Sequence, residues 1–331
     1  MRRRPFRAPV AATLLIGCLA SSVPAPVAAQ LATEGAAFLL IPVGAKSVAL
    51  GQAVVAEQQG TESVWWNPAG LARADKKELA VHHYQTIIGT GDAVSFVFPS
   101  ELLGVLTGSV YLLDIGEQAV TGPGGFPVGS ILPRFLVYAA TYATPLGGRV
   151  NAGLTYKIVQ FRVDCTGLCA GVPTLSSTGS AIDAGVQYSV PIPAPIWLGV
   201  AVRNLGPRLQ VKDSEQADPL PTRLQIGATY QVTPLERYAR NLDVQVNADV
   251  IDELSFESPS ARVGADIGYR KVAFFRAGYV FKEFEGSEQY GPSIGIGLVA
   301  GSLQVDFARL FDAFSSGIGE PPTYLSVRYL F

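Results

Sequence analysis

The residue types that carry most enzymatic chemistry are sparse in this chain of 331 residues, which has two His and three Cys. The two histidines, His82 and His83, are adjacent. Adjacent side chains on a strand point to opposite faces, so this pair cannot grip one metal ion together. One of them, turned inward, could pair with a serine as in a barrel lipase, but no flanking arrangement completes such a site. Solvated or interfacial histidine is the plainer reading. Asp243, Asp249 and Asp266 share a face with several Arg, where carboxylates serve structure more often than catalysis. The Gly-rich run Thr121-Gly122-Pro123-Gly124-Gly125 belongs to a long loop and not to a strand-to-helix turn, so it is no phosphate loop. No catalytic residue, metal site or cofactor is assigned.

The elements that must position these residues are strands behind an export signal. Residues 1–29 begin with Arg2, Arg3, Arg4 and Arg7, continue through an apolar core and end Val27-Ala28-Ala29, which reads as a secretory signal cleaved after Ala29. Leu15-Ile16-Gly17-Cys18 also fits a lipoprotein cleavage site; the small-residue site is favoured for its distance from the apolar core. Removing residues 1–29 leaves 21 basic and 27 acidic residues, a net of −6, which argues against a nucleic-acid partner. No later apolar run approaches the roughly 20 residues of a membrane helix. Cys165 and Cys169 remain, in a Gly-containing loop of an exported chain. They read as a loop disulfide; metal binding is the alternative, although two Cys supply only half of a structural zinc site.

From residue 77 to 331 the pattern has period two. Ile182, Ala184, Val186, Tyr188 and Val190 alternate with Asp183, Gly185, Gln187 and Ser189. Leu242, Val244, Val246, Ala248 and Val250 alternate with Asp243, Gln245, Asn247 and Asp249. Such alternation puts one face in an apolar medium and the other in a polar one. About fourteen strands are expected, centred near residues 81, 94, 108, 138, 155, 185, 200, 227, 246, 265, 277, 296, 306 and 327. Their connections tend to alternate between tight and long, as in a transmembrane barrel with short periplasmic turns and longer outer loops. A soluble sandwich also fits period two. Export, the even count, the loop lengths and the terminal Phe331 favour an all-β transmembrane antiparallel barrel in the outer membrane of a Gram-negative-type bacterium.

The polar phase from the fifth strand onward carries Lys157, Asp183, Arg223, Asp249, Arg262, Asp266, Arg276, Asp306 and Arg328 among others, a mixed-sign lining able to close into ion pairs, bind a plug or flank water. The second to fourth strands are apolar on both faces. Leu136, Tyr138 and Tyr142 there are the candidate apolar pocket. Residues 30–76 do not alternate and are expected to fold inside the barrel of residues 77–331 as a hatch against that apolar wall. Their end, Trp65-Trp66-Asn67-Pro68-Ala69-Gly70, reads as two buried Trp and then an Asn N-cap with Pro at the first helical position.

This stretch resembles the N-terminal signature of the PorV/PorQ family and, more distantly, of the FadL family of outer-membrane barrels. Gly44-Ala45, Leu50-Gly51, Ala53-Val54-Val55-Ala56 and the run from Asn67 to Ala72 match; Glu57 and Glu62 stand where Asp is commoner, and Trp65-Trp66 where Tyr-Trp or Phe-Trp is. The PorV/PorQ resemblance implies an accessory component of type IX protein secretion, with secreted cargo proteins as partners bound through the outer loops. The FadL resemblance implies the alternative, a transporter of long-chain fatty acids or other hydrophobic molecules through a plugged barrel with lateral exit to lipid. A structural barrel facing only outer-membrane lipid is the third reading. None of the three is an enzyme.

Overall fold

The computed structural model describes residues 35–168, 176–210, 217–232, 241–252, 254, 259–282, 291–311 and 320–331. The expected signal segment 1–29 lies outside them. Short helical turns come first: Ala37–Leu40, α1 (Ala45–Ala49), Gly60–Glu62, α2 (Ser63–Trp66) and Pro68–Leu71. The strands follow as β1 (Glu78–Gln85), β2 (Thr90–Ser100), β3 (Gly104–Asp114), β4 (Gln118–Thr121), β5 (Pro127–Leu146), β6 (Val150–Gly167), β7 (Ser176–Ser189), β8 (Ile196–Leu205), β9 (Leu209–Gln210), β10 (Ala217–Asp218), β11 (Arg223–Gln231), β12 (Leu242–Asp252), β13 (Ser260–Tyr269), β14 (Ala273–Lys282), β15 (Gly291–Ala300), β16 (Leu303–Leu310) and β17 (Thr323–Leu330).

All but β4, β9 and β10 close into a 14-strand antiparallel barrel. Each strand pairs with its neighbour in the chain, and β1 meets β17 from Glu78↔Leu330 to Gln85↔Thr323. Each of the fourteen expected centres falls within one of these barrel strands. The tight turns after β2, β5, β13 and β15 lie at the end of the barrel that holds the start of β1 and the end of β17. One of them, Arg270-Lys271, has φ of 53° and 57° at its two residues, the type I′ geometry that matches strand twist in a two-residue hairpin.

The third connection, expected as loop over residues 114–132, is partly strand. β4 pairs with the first residues of β5, around the turn at Gly122–Gly125, so β5 runs for 20 residues and stands beyond its other neighbours as a flap with β6. Cys165 lies on this part of β6, opposite Ile131. Cys169 falls outside the described residues, and with it the expected Cys165–Cys169 pairing.

Burial alternates along the strands with the phase read from sequence. On β7, Ile182, Val186 and Tyr188 are exposed outward and Asp183, Gly185 and Gln187 are buried inward. Large apolar side chains cover the outside of the barrel around its circumference, including Phe96, Val110, Tyr156, Val200, Ile226, Phe275, Ile296 and Phe307. This is the surface of a sheet that faces hydrocarbon.

The inside is filled by the segment that precedes β1, whose buried residues run from Phe38 to Ala72. The segment begins beside β10, where Gly35 N donates to Pro219 O at 2.9 Å. It then crosses the lumen to the end with the tight turns, where Arg73 Nη2 donates to Gly148 O at 2.9 Å. Backbone meets backbone over much of this path, which requires wall residues without side chains. Gly153, Gly185, Gly199, Gly264, Gly278 and Gly295, on six different strands, all face inward, and a Cβ at any of them would overlap Pro68, Asn67, Val55, Leu50, Gly51 or Ala49. Close backbone approach is the use of glycine that its lack of a Cβ permits.

The charged part of the lining closes on itself. Arg276 lies between Asp266 and Asp306, at 2.9 Å and 2.6 Å, and Arg328 reaches Asp306 at 3.1 Å. Arg328 Nη1 also donates to Gln59 O of the inner segment at 3.0 Å. Of the alternatives that the mixed signs leave open, the structure shows ion pairing and attachment of a plug.

Two outcomes are expected for stability, each read as the temperature at which the compact barrel loses its faster migration in detergent gels. Gly278→Ala forces the wall off Gly51 and lowers stability by about 1–3 kcal/mol, the usual range for overpacking; Gly108→Ala, at an outward position with nothing nearby, leaves it unchanged. Asp306→Ala leaves Arg276 with Asp266 alone and buried Arg328 with only Glu78 at 3.9 Å, and lowers stability by about 3–5 kcal/mol; a second change, Arg328→Met, recovers part of the loss.

Candidate functional site

The motif residues singled out in the sequence build the core of the inner segment. Asn67 caps the turn Pro68–Leu71 by accepting from Ala69 N at 3.0 Å, and its amide donates to Val55 O at 2.6 Å. It therefore ties the end of the segment to its middle. Pro68, Ala69 and Gly70 are buried beside β6 and β7. Trp66 Nε1 donates to Val43 O at 3.0 Å, and the Arg203 guanidinium lies 4.8 Å from the Trp66 ring centre. Arg203 Nη1 also donates to Trp65 O at 3.0 Å.

Carboxylates replace the helix caps that the sequence of α1 lacks. Glu62 Oε2 accepts from Ser47 N at 2.9 Å and Oε1 from Lys46 N at 3.3 Å, which satisfies the first free amides of α1. Glu78 Oε1 does the same for Thr61 N at 3.1 Å. Burial pushes the Glu62 carboxyl above its ordinary range, against the pull of Arg328 and of the Ser47 hydrogen bonds. Burial acts on Glu57 in the same sense, but its ion pair with Lys46, helped by Arg276, outweighs it and leaves that carboxyl below the ordinary range.

The barrel wall satisfies other backbone groups of the segment. Ala45 N donates to Ser326 Oγ at 2.9 Å, Gly51 N to Ser293 Oγ at 3.2 Å and Val55 N to Asp249 Oδ2 at 2.9 Å. Gln187 and Gln225 donate to Glu57 O and Gln52 O at 2.9 Å and 3.1 Å.

His82 and His83 do face opposite ways. His83 is outward and exposed, 2.7 Å from Asp92. The solvated reading fails for His82, which is buried in the lumen wall with Nδ1 2.8 Å from Ser326 Oγ. The Ser–His pair exists in space, yet both residues are sealed, and the serine hydroxyl already accepts from Ala45 N. It braces the inner segment and presents no nucleophile to a substrate.

The candidate pocket residues differ from expectation. Tyr138 and Tyr142 are 45% and 43% exposed on the outer face, and half-buried Leu136 shares their phase. β5 is apolar on both faces, so its alternation did not say which side meets the lumen. The inward residues are Phe135, Val137, Ala139, Thr141 and Ala143. The apolar wall inside is aromatic and belongs partly to the segment itself. Phe38 lies 4.4 Å from Phe135 and 6.5 Å from Tyr111, ring centre to ring centre, and Trp65 lies 5.8 Å from Tyr111. The hydroxyls of Tyr84 and Tyr111 are hydrogen-bonded to each other.

A cavity of about 20 Å³ lies between this cluster and the cations Lys157 and Arg203, bounded also by Ile41, Val43 and Trp66. It has room for roughly one water molecule. Tyr111 and Arg203 as cavity residues were not found from sequence. For Tyr111 the signal was its place on the inward phase of β3. For Arg203 it was its place on the inward phase of β8 with Gly199 and Ala201, one residue before the irregularity at Asn204, whose φ is 60°.

No protein-family model and no curated protein sequence matches the chain. Solved structures match its fold. The toluene transporter TbuX of Ralstonia pickettii superposes with a TM-score of 0.57 at 12% identity, over 87% of this chain and 98% of that one. The toluene transporter TodX of Pseudomonas putida gives 0.56 at 12% identity, over 86% and 95%. A FadL homologue of Pseudomonas aeruginosa gives 0.54 at 11% identity, over 87% and 98%. At such identities the likeness is one of fold, and the chain shares the barrel fold of these transporters.

Proposed function

We propose that this chain is an outer-membrane barrel that passes a small hydrophobic molecule, with residues 30–76 as its hatch. The observation that carries the reading is the aromatic-lined cavity between Phe38, Trp65 and Tyr111, placed where the hatch meets the apolar wall. The apolar outer face supports residence in lipid. The fold shared with two toluene transporters and a FadL homologue supports the transport alternative drawn from sequence. The cavity of about 20 Å³ is too small for an aromatic ring, so on this reading passage requires the hatch to move.

The reading as an accessory of type IX secretion keeps the motif resemblance as its support. The motif residues Asn67, Pro68, Ala69 and Gly70 are buried within the barrel, where cargo does not reach them. Much of the outer loops invoked for cargo, residues 169–175 and 211–216, lies outside the described residues.

Cells lacking the protein are expected to take up labelled toluene severalfold more slowly than cells carrying it. Unchanged uptake of toluene and of a long-chain fatty acid, together with loss of surface-attached secreted proteins, would replace transport by the secretion reading.

A further inference from the structure

The two ends of the barrel carry their charges differently. Among the described residues at the end with the tight turns, six exposed cations, Arg73, Lys76, Lys77, Arg149, Arg270 and Lys271, stand against the exposed carboxylates of Asp75 and Glu101 and the terminal carboxylate of Phe331. None of the six is in an ion pair with a described residue. At the opposite end, the outer-face cations Arg134 and Arg162 lie 3.8 Å and 2.7 Å from Asp114 and Asp164. The positive excess at the first end is left for something outside the described chain to balance.

The placement of the cations points to a lipid surface as the partner. Lys77 precedes β1, Arg149 precedes β6, and Arg270-Lys271 joins β13 to β14. In the barrel β1 is separated from β6 by β2, β3 and β5, and from β14 by β17, β16 and β15. The cations are thus spread around the rim. A protein docked on one side would meet one of these places, whereas a leaflet surrounds the barrel and meets all of them. Two cations also lie on rings of the lipid-facing surface. Lys77 Nζ is 5.2 Å from the ring centre of Phe98, and the Arg270 guanidinium is 5.3 Å from that of Tyr269. Both rings are exposed. Aromatic girdles mark the interfacial level of a transmembrane barrel, and a long cationic side chain there keeps its stem on apolar surface and its charge among the headgroups. The turns between carry exposed Leu102, Leu103, Leu146 and Val272, apolar surface that is better placed against lipid than in water.

We propose that this rim binds anionic phospholipids of the leaflet at the end with the tight turns, with Lys77 and the Arg270-Lys271 turn as contacts for lipid phosphates. The proposal rests on residence in the membrane and not on what the barrel passes. Unpaired cations near an anionic lipid surface each add to the attraction, and salt screens it.

The test compares spin-labelled phosphatidylglycerol with spin-labelled phosphatidylcholine at the mature protein reconstituted in phosphatidylcholine vesicles. The readout is the fraction of each label whose motion the protein restricts. Wild type is expected to prefer phosphatidylglycerol by about three- to fivefold at low salt, and about 1 M salt is expected to remove most of that preference. The combined change Lys77→Gln, Arg270→Asn and Lys271→Asn is expected to remove most of it at low salt. Asn suits the positive φ of both turn residues. Lys77→Gln alone, expected to lower the preference by about a third, serves if the triple variant does not fold. Equal restriction of the two lipids by wild type, or a preference that survives these substitutions, overturns the proposal and leaves transport standing. Restriction of neither lipid overturns membrane residence as well.

Discussion

The inner segment can lie where it does only because the wall beside it has no side chains. Six inward glycines on six strands let the backbone of residues 49–69 approach the backbone of the barrel. At that separation, main-chain amides come within reach of short wall side chains such as Ser326, Ser293 and Asp249. The segment is too short in regular structure to satisfy itself. Its two α-helices have five and four residues, so few of their amides find helical partners. The barrel supplies the missing partners, and the glycines set the distance at which it can.

The lumen then divides by chemistry. On the side of β12 to β17, Asp266, Arg276, Asp306 and Arg328 form a closed set of ion pairs in which each charge has a partner. Breaking such a set by removing one member is far more disruptive than the set is stabilising, so this side is rigid by its electrostatics. On the side of β2 to β5 the contacts with the segment are mostly between rings and aliphatic groups, which are non-directional and tolerate rearrangement better. The cavity lies beside the ring cluster and outside the ion-paired set, with Tyr111 of β3, Lys157 of β6 and Arg203 of β8 among its walls.

Much of this was legible in the sequence. Period two over segments such as 181–190 placed the strands because only one phase of each is apolar, and the Asn67-Pro68 cap followed from what each residue does to free amides. The legible part ends where a strand loses its contrast. Residues 135–142 are apolar on both phases, so Tyr138 and Tyr142 were assigned to the lumen when they face outward. Gln118–Thr121 has only four residues, too few to show an alternation, which hid β4. Trp65 and Arg203 at the cavity are 138 positions apart, brought together only by barrel closure.

The pairing of β1 with β17 has a consequence for how the molecule is made. The inner segment is the part of the described chain made first, and β17 is the part made last. Yet Ala45 depends on Ser326, 281 residues away, and Gln59 on Arg328, 269 residues away. Contacts of such span form late and slowly, because a long loop has to close before they form. The strand that completes the wall therefore also supplies side chains that hold its contents, so the attachment of the inner segment is complete only when the seam between β1 and β17 is closed.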